Sequence, residues 1–196
     1  MEVLAQPWHI VYLQAEAYVY ASDEAKLVNR HIDATNENAA KKIYEAKGRP
    51  SDNPLIIHIA RPEDADLYAV TSPLYSKLAA HFMPGPLTVI MPKRGNIPYE
   101  VTGGLDSIAV RCPQHPVANA LIRLAGVPIA APSANISGRP SATSAEYAEN
   151  DFLGRVDFII DGGECEFGLE STIVKITGDD SLVLLRPGAV TYDALC

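Results

Sequence analysis

Glycine and proline are distributed very unevenly along this chain. Residues 1–47 contain no glycine and one proline, Pro7, whereas residues 48–196 hold the other 27 of the 28 glycines and prolines. These two residue types set the backbone angles of tight turns and end helices. Residues 48–196 are therefore expected to form many short elements joined by specified turns, and residues 1–47 to be more helical.

The overall composition and charge exclude several classes of protein. The 196 residues, 47% hydrophobic and 20% charged, suit one globular domain over 1–196. The net charge of −8 disfavours a protein whose main task is to grip a nucleic-acid backbone, although it allows a local basic groove. No apolar run approaches the roughly 18–20 residues that span a membrane, and no signal peptide is visible. Cys112, Cys165 and Cys196 are widely spaced, which predicts no disulfide framework, no zinc site and a cytoplasmic protein.

Helical and strand-like patterns alternate along the chain, and strands accumulate at its end. Helices are predicted over 36–46, 73–82, 115–125 and 144–153, with a weaker helical tendency over 14–32. Strands are predicted over 9–13, 55–59, 87–91, 107–111, 128–131, 156–160, 172–176 and 182–185. This order indicates an α/β or α+β fold with a mixed sheet.

The turn after the 36–46 helix carries two cations on a stretch stiffened by glycine and proline. Lys47 and Arg49 lie in the 47–54 turn, before a buried strand. A rigid loop that presents lysine and arginine can clamp a phosphate. The alternative is a helix C-terminus whose cations complement the helix dipole.

Three further polar stretches follow or precede predicted strands directly. Ser133 and Asn135 follow the 128–131 strand, where open α/β sheets bind ligands, and would point to one side if the strand geometry continued. The alternative is an ordinary Ser/Asn turn. The 168–172 turn precedes a predicted strand and the 185–188 turn follows one, so both are further candidates for ligand contact. Arg111 ends another strand, where it would bind a ligand carboxylate or pair with an acidic residue. No GxGxxG, P-loop, HExxH or GxSxG pattern is present.

Six segments, taken together and in this order, resemble the YrdC-like family of L-threonylcarbamoyladenylate synthases. The segments read KGRPSDNPLIIHI, FMPGPLTVIM, IAVRCPQHP, APSANISGRPSAT, DGGECEFGLESTIVKI and LLRPG, and the match runs over about residues 33–189. The resemblance implies an α/β fold with an open, twisted mixed sheet and a concave ligand groove. It also implies an enzyme that joins L-threonine, bicarbonate and ATP into threonylcarbamoyl-AMP and pyrophosphate. The product of such enzymes passes to a tRNA threonylcarbamoyl transferase, which modifies the adenosine next to the anticodon.

The resemblance assigns roles to ten residues of this chain. The family's Lys-x-Arg and Ser-x-Asn signatures give the expected catalytic residues, Lys47, Arg49, Ser133 and Asn135. The expected nucleotide-binding residues are Arg49, Asn53, Asn135, Thr143 and Arg186. The expected threonine-binding residues are His58, Arg111, Ser133 and Ser171, with Arg111 a natural partner for the threonine carboxylate. No metal ligand is predicted, because Mg²⁺ would ride mainly on the phosphates of ATP.

One family segment is missing. The family carries a Pro-Thr-x-Thr-x-Tyr-Gly-Leu segment that should begin near residue 23, whereas residues 23–31 read DEAKLVNRH. Residues 1–32 are thus atypical for the family. The missing segment favours one alternative, a member that binds nucleotide or double-stranded RNA without this catalysis. A second alternative is a related carbamoyl transferase that uses carbamoyl phosphate.

Overall fold

A six-stranded sheet forms the centre of the molecule, which we describe from a computed structural model covering residues 10–12, 32–156, 158–161 and 168–196. The strands are β1 (Ile10–Tyr12), β2 (Ile56–His58), β3 (Leu87–Pro92), β4 (Ser107–Arg111), β5 (Ile129–Ala130), β6 (Phe158–Ile160), β7 (Thr172–Gly178) and β8 (Ser181–Arg186). The helices are α1 (Glu37–Lys47), α2 (Pro73–Phe82), α3 (Tyr99–Thr102), α4 (Pro116–Ala125), α5 (Ala145–Phe152) and α6 (Tyr192–Leu195), with a 3₁₀ helix over Pro62–Leu67.

The central sheet is open and mixed. Its strand order is β5-β2-β4-β3-β7-β8, and β1 pairs with β6 in a separate two-stranded parallel sheet. β2 runs parallel to β4, and β3 runs parallel to β7, while the other three pairs are antiparallel. The expected α/β fold with an open mixed sheet is confirmed.

The central strands form because their apolar residues are covered. Ile57 of β2, Val89 of β3 and Val110 of β4 are completely buried in the main hydrophobic core. Leu55 and Ile59, which flank β2, are buried in the same core, as a nearly all-apolar run predicts for a strand inside a sheet. A firm sheet of this kind can hold polar residues at its strand ends in fixed positions.

Capping residues mark the ends of the predicted helices. The Asn36 side chain caps α1 by accepting from the Asn38 backbone N–H (3.0 Å), and the Ser72 hydroxyl caps α2. Gly48 and Gly126 end α1 and α4 in the left-handed conformation, with φ of 59° and 68°. Glycine adopts this conformation without the steric cost that a Cβ brings.

The structure adds three short helical pieces that the pattern did not predict: the 3₁₀ helix, α3 and α6. The predicted 14–32 helical tendency lies outside the described residues except for Ile32, which is buried beside α4. The segment expected to begin near residue 23 and Cys165 also lie outside them. Among the described residues, no helix is both long and apolar enough to cross a membrane.

Candidate active site

Four strand ends of the central sheet surround a cavity of about 110 Å³. His58 and Arg111 are the last residues of β2 and β4, and they are register partners in that parallel pair. Ser171 directly precedes β7, and Arg186 ends β8. Ser133, in the loop after β5, lines the same cavity. The sheet topology thus gathers residues that are far apart in the sequence.

Six of the ten residues predicted for the site line this cavity: His58, Arg111, Ser133, Thr143, Ser171 and Arg186. The other four, which are Lys47, Arg49, Asn53 and Asn135, do not line it and are described below. Every residue predicted to bind threonine is in the first group. The cavity is therefore the place where the predicted threonine site and part of the predicted nucleotide site meet.

Arg111 supplies positive charge at one end of the cavity. Its side chain is half-buried, and Nε donates to the carbonyl oxygen of Gly85 (3.1 Å). The neighbouring His58 is 5% exposed. Burial, and then the charge of Arg111, lower the pKa of His58 to about 3. The imidazole is therefore neutral at pH 7, and of these two side chains only Arg111 offers a cation to a carboxylate.

Ser171 and Arg186 form a connected pair beside β7 and β8, which lie across β3 from the strand that ends at Arg111. Arg186 donates from Nε to the Ser171 carbonyl (3.0 Å) and from Nη2 to the Ser171 hydroxyl (3.0 Å). The same hydroxyl shares a hydrogen bond with Oγ1 of Thr88 in β3 (2.8 Å). Thr88 and Ser171 are both buried. The hydroxyl of Ser171 is thus held by two partners, one on each of the strands that flank β7.

Gly188 allows the chain after β8 to pass close to this pair. A Cβ at this position would lie 2.4 Å from the carbonyl oxygen of Glu170 and 2.6 Å from the backbone nitrogen of Thr172. Both are backbone atoms and cannot rotate away. The glycine of the Leu-Arg-Pro-Gly segment is therefore needed for Arg186 and Ser171 to lie together.

Lys47 is buried and holds a backbone turn. Its side chain is 4% exposed, and Nζ donates to the carbonyl oxygens of Ser133 and Asn135. Nζ also lies 5.9 Å from the ring centre of Phe152. Burial, followed by the nearby charge of Arg49, lowers the pKa of Lys47 to about 8. In this structure Lys47 positions the turn that carries Ser133, and its catalytic role stays a prediction.

The chain turns over residues 133–135. The strand geometry of β5 therefore does not continue to Ser133 and Asn135, as their predicted orientation to one side required. The backbone N–H of Asn135 donates to the carbonyl of Ser133 (3.0 Å). Asn135 is buried, and its Nδ2 donates to the carbonyls of Ile136 (3.0 Å) and Arg139 (2.7 Å). No hydrogen bond to its Oδ1 is found among the described residues. Asn135 therefore shapes the loop and keeps one acceptor available.

Arg49 and Asn53 bind each other. Arg49 donates from Nε to the Asn53 carbonyl (3.1 Å), and from Nη2 to Oδ1 of Asn53 (2.6 Å) and the carbonyl of Pro54 (2.9 Å). Burial lowers the pKa of Arg49, and the charges of Tyr44 and Glu170 oppose that effect. The guanidinium thus stiffens the 49–54 loop. The charge of Glu170 also partly offsets the lowering of the pKa of Lys47.

Three polar residues at the site were given no role from the sequence. Glu170 and Ser141 line the cavity, and Thr88 supports Ser171 from within the sheet. Glu170 adjoins Ser171 in a segment that the resemblance does cover, so its position carried a usable signal. Thr88 lies in an apolar run, where threonine is an ordinary strand former.

Comparison with known proteins identifies the family. The family model Sua5_yciO_yrdC, described as "Telomere recombination", matches residues 31–188. The chain belongs to the Sua5/YciO/YrdC family. It is 52% identical over 164 residues to the threonylcarbamoyl-AMP synthase of Pyrococcus abyssi, covering 83% of this chain and 48% of that protein. The corresponding protein of Bacillus subtilis is 51% identical, with coverage of 83% and 47%. The chain thus spans about half the length of these two Sua5/YciO/YrdC relatives.

Solved structures of the family have the same fold. The crystal structure of P. abyssi Sua5 complexed with L-threonine matches with a TM-score of 0.81 and 44% identity, covering 91% of this chain and 57% of that one. E. coli YciO matches with a TM-score of 0.78 over 95% and 97% of the two chains. At 19% identity, the likeness to YciO concerns the fold alone.

Proposed function

We propose that this chain forms L-threonylcarbamoyladenylate and pyrophosphate from L-threonine, bicarbonate and ATP. The observation that carries the proposal is the single cavity in which six predicted ligand-binding residues meet. Identity of about half the aligned residues to proteins named threonylcarbamoyl-AMP synthase supports it, as does the relative solved with L-threonine. The proposed enzyme is a nucleotidyltransferase.

We place the threonine carboxylate at Arg111. A guanidinium presents a rigid pair of donors that matches a carboxylate. The neutral His58 and the hydroxyls of Ser133 and Ser171 then supply uncharged hydrogen-bonding groups around the rest of the amino acid. The amine of an amino acid bound in this way reacts with bicarbonate to give a carbamate and water, and the carbamate then points toward the nucleotide half of the cavity.

We place the nucleotide on the side of Thr143 and Arg186, with Lys47, Arg49, Asn53 and Asn135 behind it. A carbamate oxygen attacks the α-phosphorus of ATP in line, the bond to the β-phosphate oxygen breaks, and pyrophosphate leaves. Such a step needs positioning and charge neutralisation rather than a covalent nucleophile. Cations and hydroxyl and amide groups are suited to that task.

We further propose that Mg²⁺ arrives with the ATP. Mg²⁺ prefers oxygen ligands and is usually held by substrate phosphates and one or two carboxylates, where it neutralises charge. Among the described residues that line the cavity, Glu170 is the one carboxylate, and Arg186 and Ser141 already engage it. The site fits a cation held mainly by the phosphates.

We propose that the product serves a tRNA threonylcarbamoyl transferase in the cytoplasm. The reactive mixed anhydride of a carbamate and AMP requires a partner that consumes it on a tRNA adenosine. A direct RNA contact stays a prediction, and it should then weaken steeply with rising salt, because phosphate contacts release counterions.

The deciding experiment measures pyrophosphate release by the purified chain with ATP and Mg²⁺. Release that requires both threonine and bicarbonate is expected. Absence of release under these conditions would reject the synthase proposal. An Arg111→Met variant is the matched control, and it should lose threonine-dependent release while still binding an ATP analogue.

The same assay, run beside a measurement of ATP binding, separates the two alternatives. Binding of ATP without turnover would favour a nucleotide-binding family member that lacks this catalysis. Activity with carbamoyl phosphate in place of threonine and bicarbonate would favour a carbamoyl transferase. Because residues 1–32 lack the family's Pro-Thr segment, all three measurements are needed: pyrophosphate release, ATP binding and activity with carbamoyl phosphate.

A further inference from the structure

Glu170 joins two segments at the rim of the cavity. Its Oε1 accepts from the hydroxyl of Ser141 (3.1 Å), and its Oε2 accepts from Nη1 of Arg186. The Glu170 and Arg186 side chains are 41% and 32% exposed, so the pair is accessible from solvent. One carboxylate therefore connects the loop that contains Thr143 to the end of β8.

This contact is the outer part of a continuous series of hydrogen bonds. The series begins at the buried Thr88 in β3 and continues through Ser171 to Arg186, Glu170 and Ser141. Thr88 and Ser171 are held by the sheet, Arg186 is bound by Ser171 and by Glu170, and Glu170 binds Ser141. A change at Glu170 should therefore affect the outer loop and Arg186 and leave the sheet intact.

A carboxylate in this place needs an explanation. Its charge partly offsets the lowering of the pKa of both Lys47 and Arg49, so it acts at a distance on cations that the proposed function assigns to the nucleotide. A negative charge there opposes the binding of a triphosphate by Coulomb repulsion. The contacts of Glu170 show what offsets this cost, since both oxygens hold groups that the proposed nucleotide site needs.

Resting on the proposed function, we propose that Glu170 is a positioning residue for the nucleotide. It fastens the 138–143 loop, through Ser141, to the guanidinium of Arg186. It also orients that guanidinium so that its remaining N–H groups face the cavity. Ordering these groups before ATP arrives reduces the cost of ordering them during binding.

The test compares Glu170→Gln and Ser141→Ala in the full chain. Glutamine has one acceptor oxygen and no charge, so it can accept from only one of the two partners and loses the ion pair with Arg186. We expect Glu170→Gln to weaken a non-hydrolysable ATP analogue about tenfold, the equivalent of one charge-assisted hydrogen bond. Ser141→Ala should weaken it about threefold. Because both changes release the same loop, the double variant should be no weaker than Glu170→Gln alone.

The controls separate this role from charge and from stability. Glu149→Gln makes the same charge change on α5 and should leave the analogue's dissociation constant unchanged. The thermal unfolding midpoints of all variants should match, because exposed ion pairs contribute little to stability. In pyrophosphate release, the KM for ATP should rise in Glu170→Gln more than the KM for threonine does.

Two results would overturn the proposal. Unchanged or tighter analogue binding by Glu170→Gln would mean that the carboxylate only repels phosphate. Additive losses in the double variant would mean that Ser141 and Glu170 act separately. A wild-type chain that binds the analogue but releases no pyrophosphate would reject the synthase proposal and leave the comparison of variants valid. A wild-type chain that does not bind the analogue would reject both the synthase proposal and the role of Glu170.

Discussion

Replacing Lys47 by methionine separates the cost of burying an ammonium group from the value of the hydrogen bonds that it makes. Lys47 is 4% exposed and donates to the carbonyls of Ser133 and Asn135. A fall of its pKa from 10.5 to about 8 corresponds to a net cost of about 3 kcal/mol, chiefly from burial of the charge and then from repulsion by Arg49. Two hydrogen bonds from a charged donor contribute about 3–6 kcal/mol. Lys47→Met should therefore lower the free energy of unfolding at pH 7 by only about 0–3 kcal/mol.

The pH dependence of that difference is the sharper result. Between pH 8 and pH 10.5 the folded protein has lost the Lys47 proton, whereas the unfolded chain still binds it. Stability of the wild type therefore rises with pH in this window through Lys47. Lys47→Met lacks this gain. The difference in unfolding free energy between the two proteins should grow by roughly 2–3 kcal/mol from pH 7 to pH 10.

Denaturant unfolding at several pH values measures this difference directly, since all other titrating groups are common to both proteins. Lys41→Met is the matched control, because it removes an exposed lysine from the same helix. A wild-type-minus-variant difference that stays constant from pH 7 to pH 10 would refute the burial of a charged Lys47. Loss of nucleotide affinity in Lys47→Met, at a small cost in stability, is expected because the 133–135 turn loses its anchor.

Three further substitutions test the remaining parts of the site. Gly188→Ala should push the Glu170 backbone away and weaken threonine binding about tenfold or more by calorimetry, whereas the control Gly178→Ala meets only a side-chain oxygen and should bind normally. Arg111→Met should raise the KM for threonine about tenfold or more and leave ATP-analogue affinity unchanged; equal losses for both ligands would contradict the assignment. Asn135→Asp should lower stability by about 1–3 kcal/mol in thermal unfolding, because a carboxylate would replace an amide donor beside two backbone carbonyls.

The local features of this fold could be predicted from the sequence because their causes are local. Ser72 and Pro73 start α2, and Gly126 ends α4, through contacts within a few residues. The strands could be recognised because a short apolar segment between two turns is typical of a buried strand. The observed bounds of β4, Ser107–Arg111, are those of the strand predicted over 107–111.

The site could be predicted in part, because the resemblance assigns ligand-binding roles to residue positions and says nothing of what each side chain contacts. Six of the residues that line the cavity could be predicted from the resemblance. Thr88 could not be, because its partner Ser171 lies 83 positions away and meets it only where β3 runs beside β7. Glu170 was passed over because nothing in its own segment indicates that it contacts Ser141 and Arg186.

The sequence by itself therefore determined where the longer helices and most strands lie and which polar segments flank the sheet, since these depend on backbone preferences and short-range hydrogen bonds. The tertiary structure alone decided which cations face the cavity. Lys47 and Arg186 are both cations next to a turn, yet Lys47 is drawn inward by carbonyls 86 and 88 positions away. Arg186 lines the cavity against Ser171 and Glu170. Burial and long-range hydrogen bonds make that distinction, and neither is encoded in the few residues around each cation.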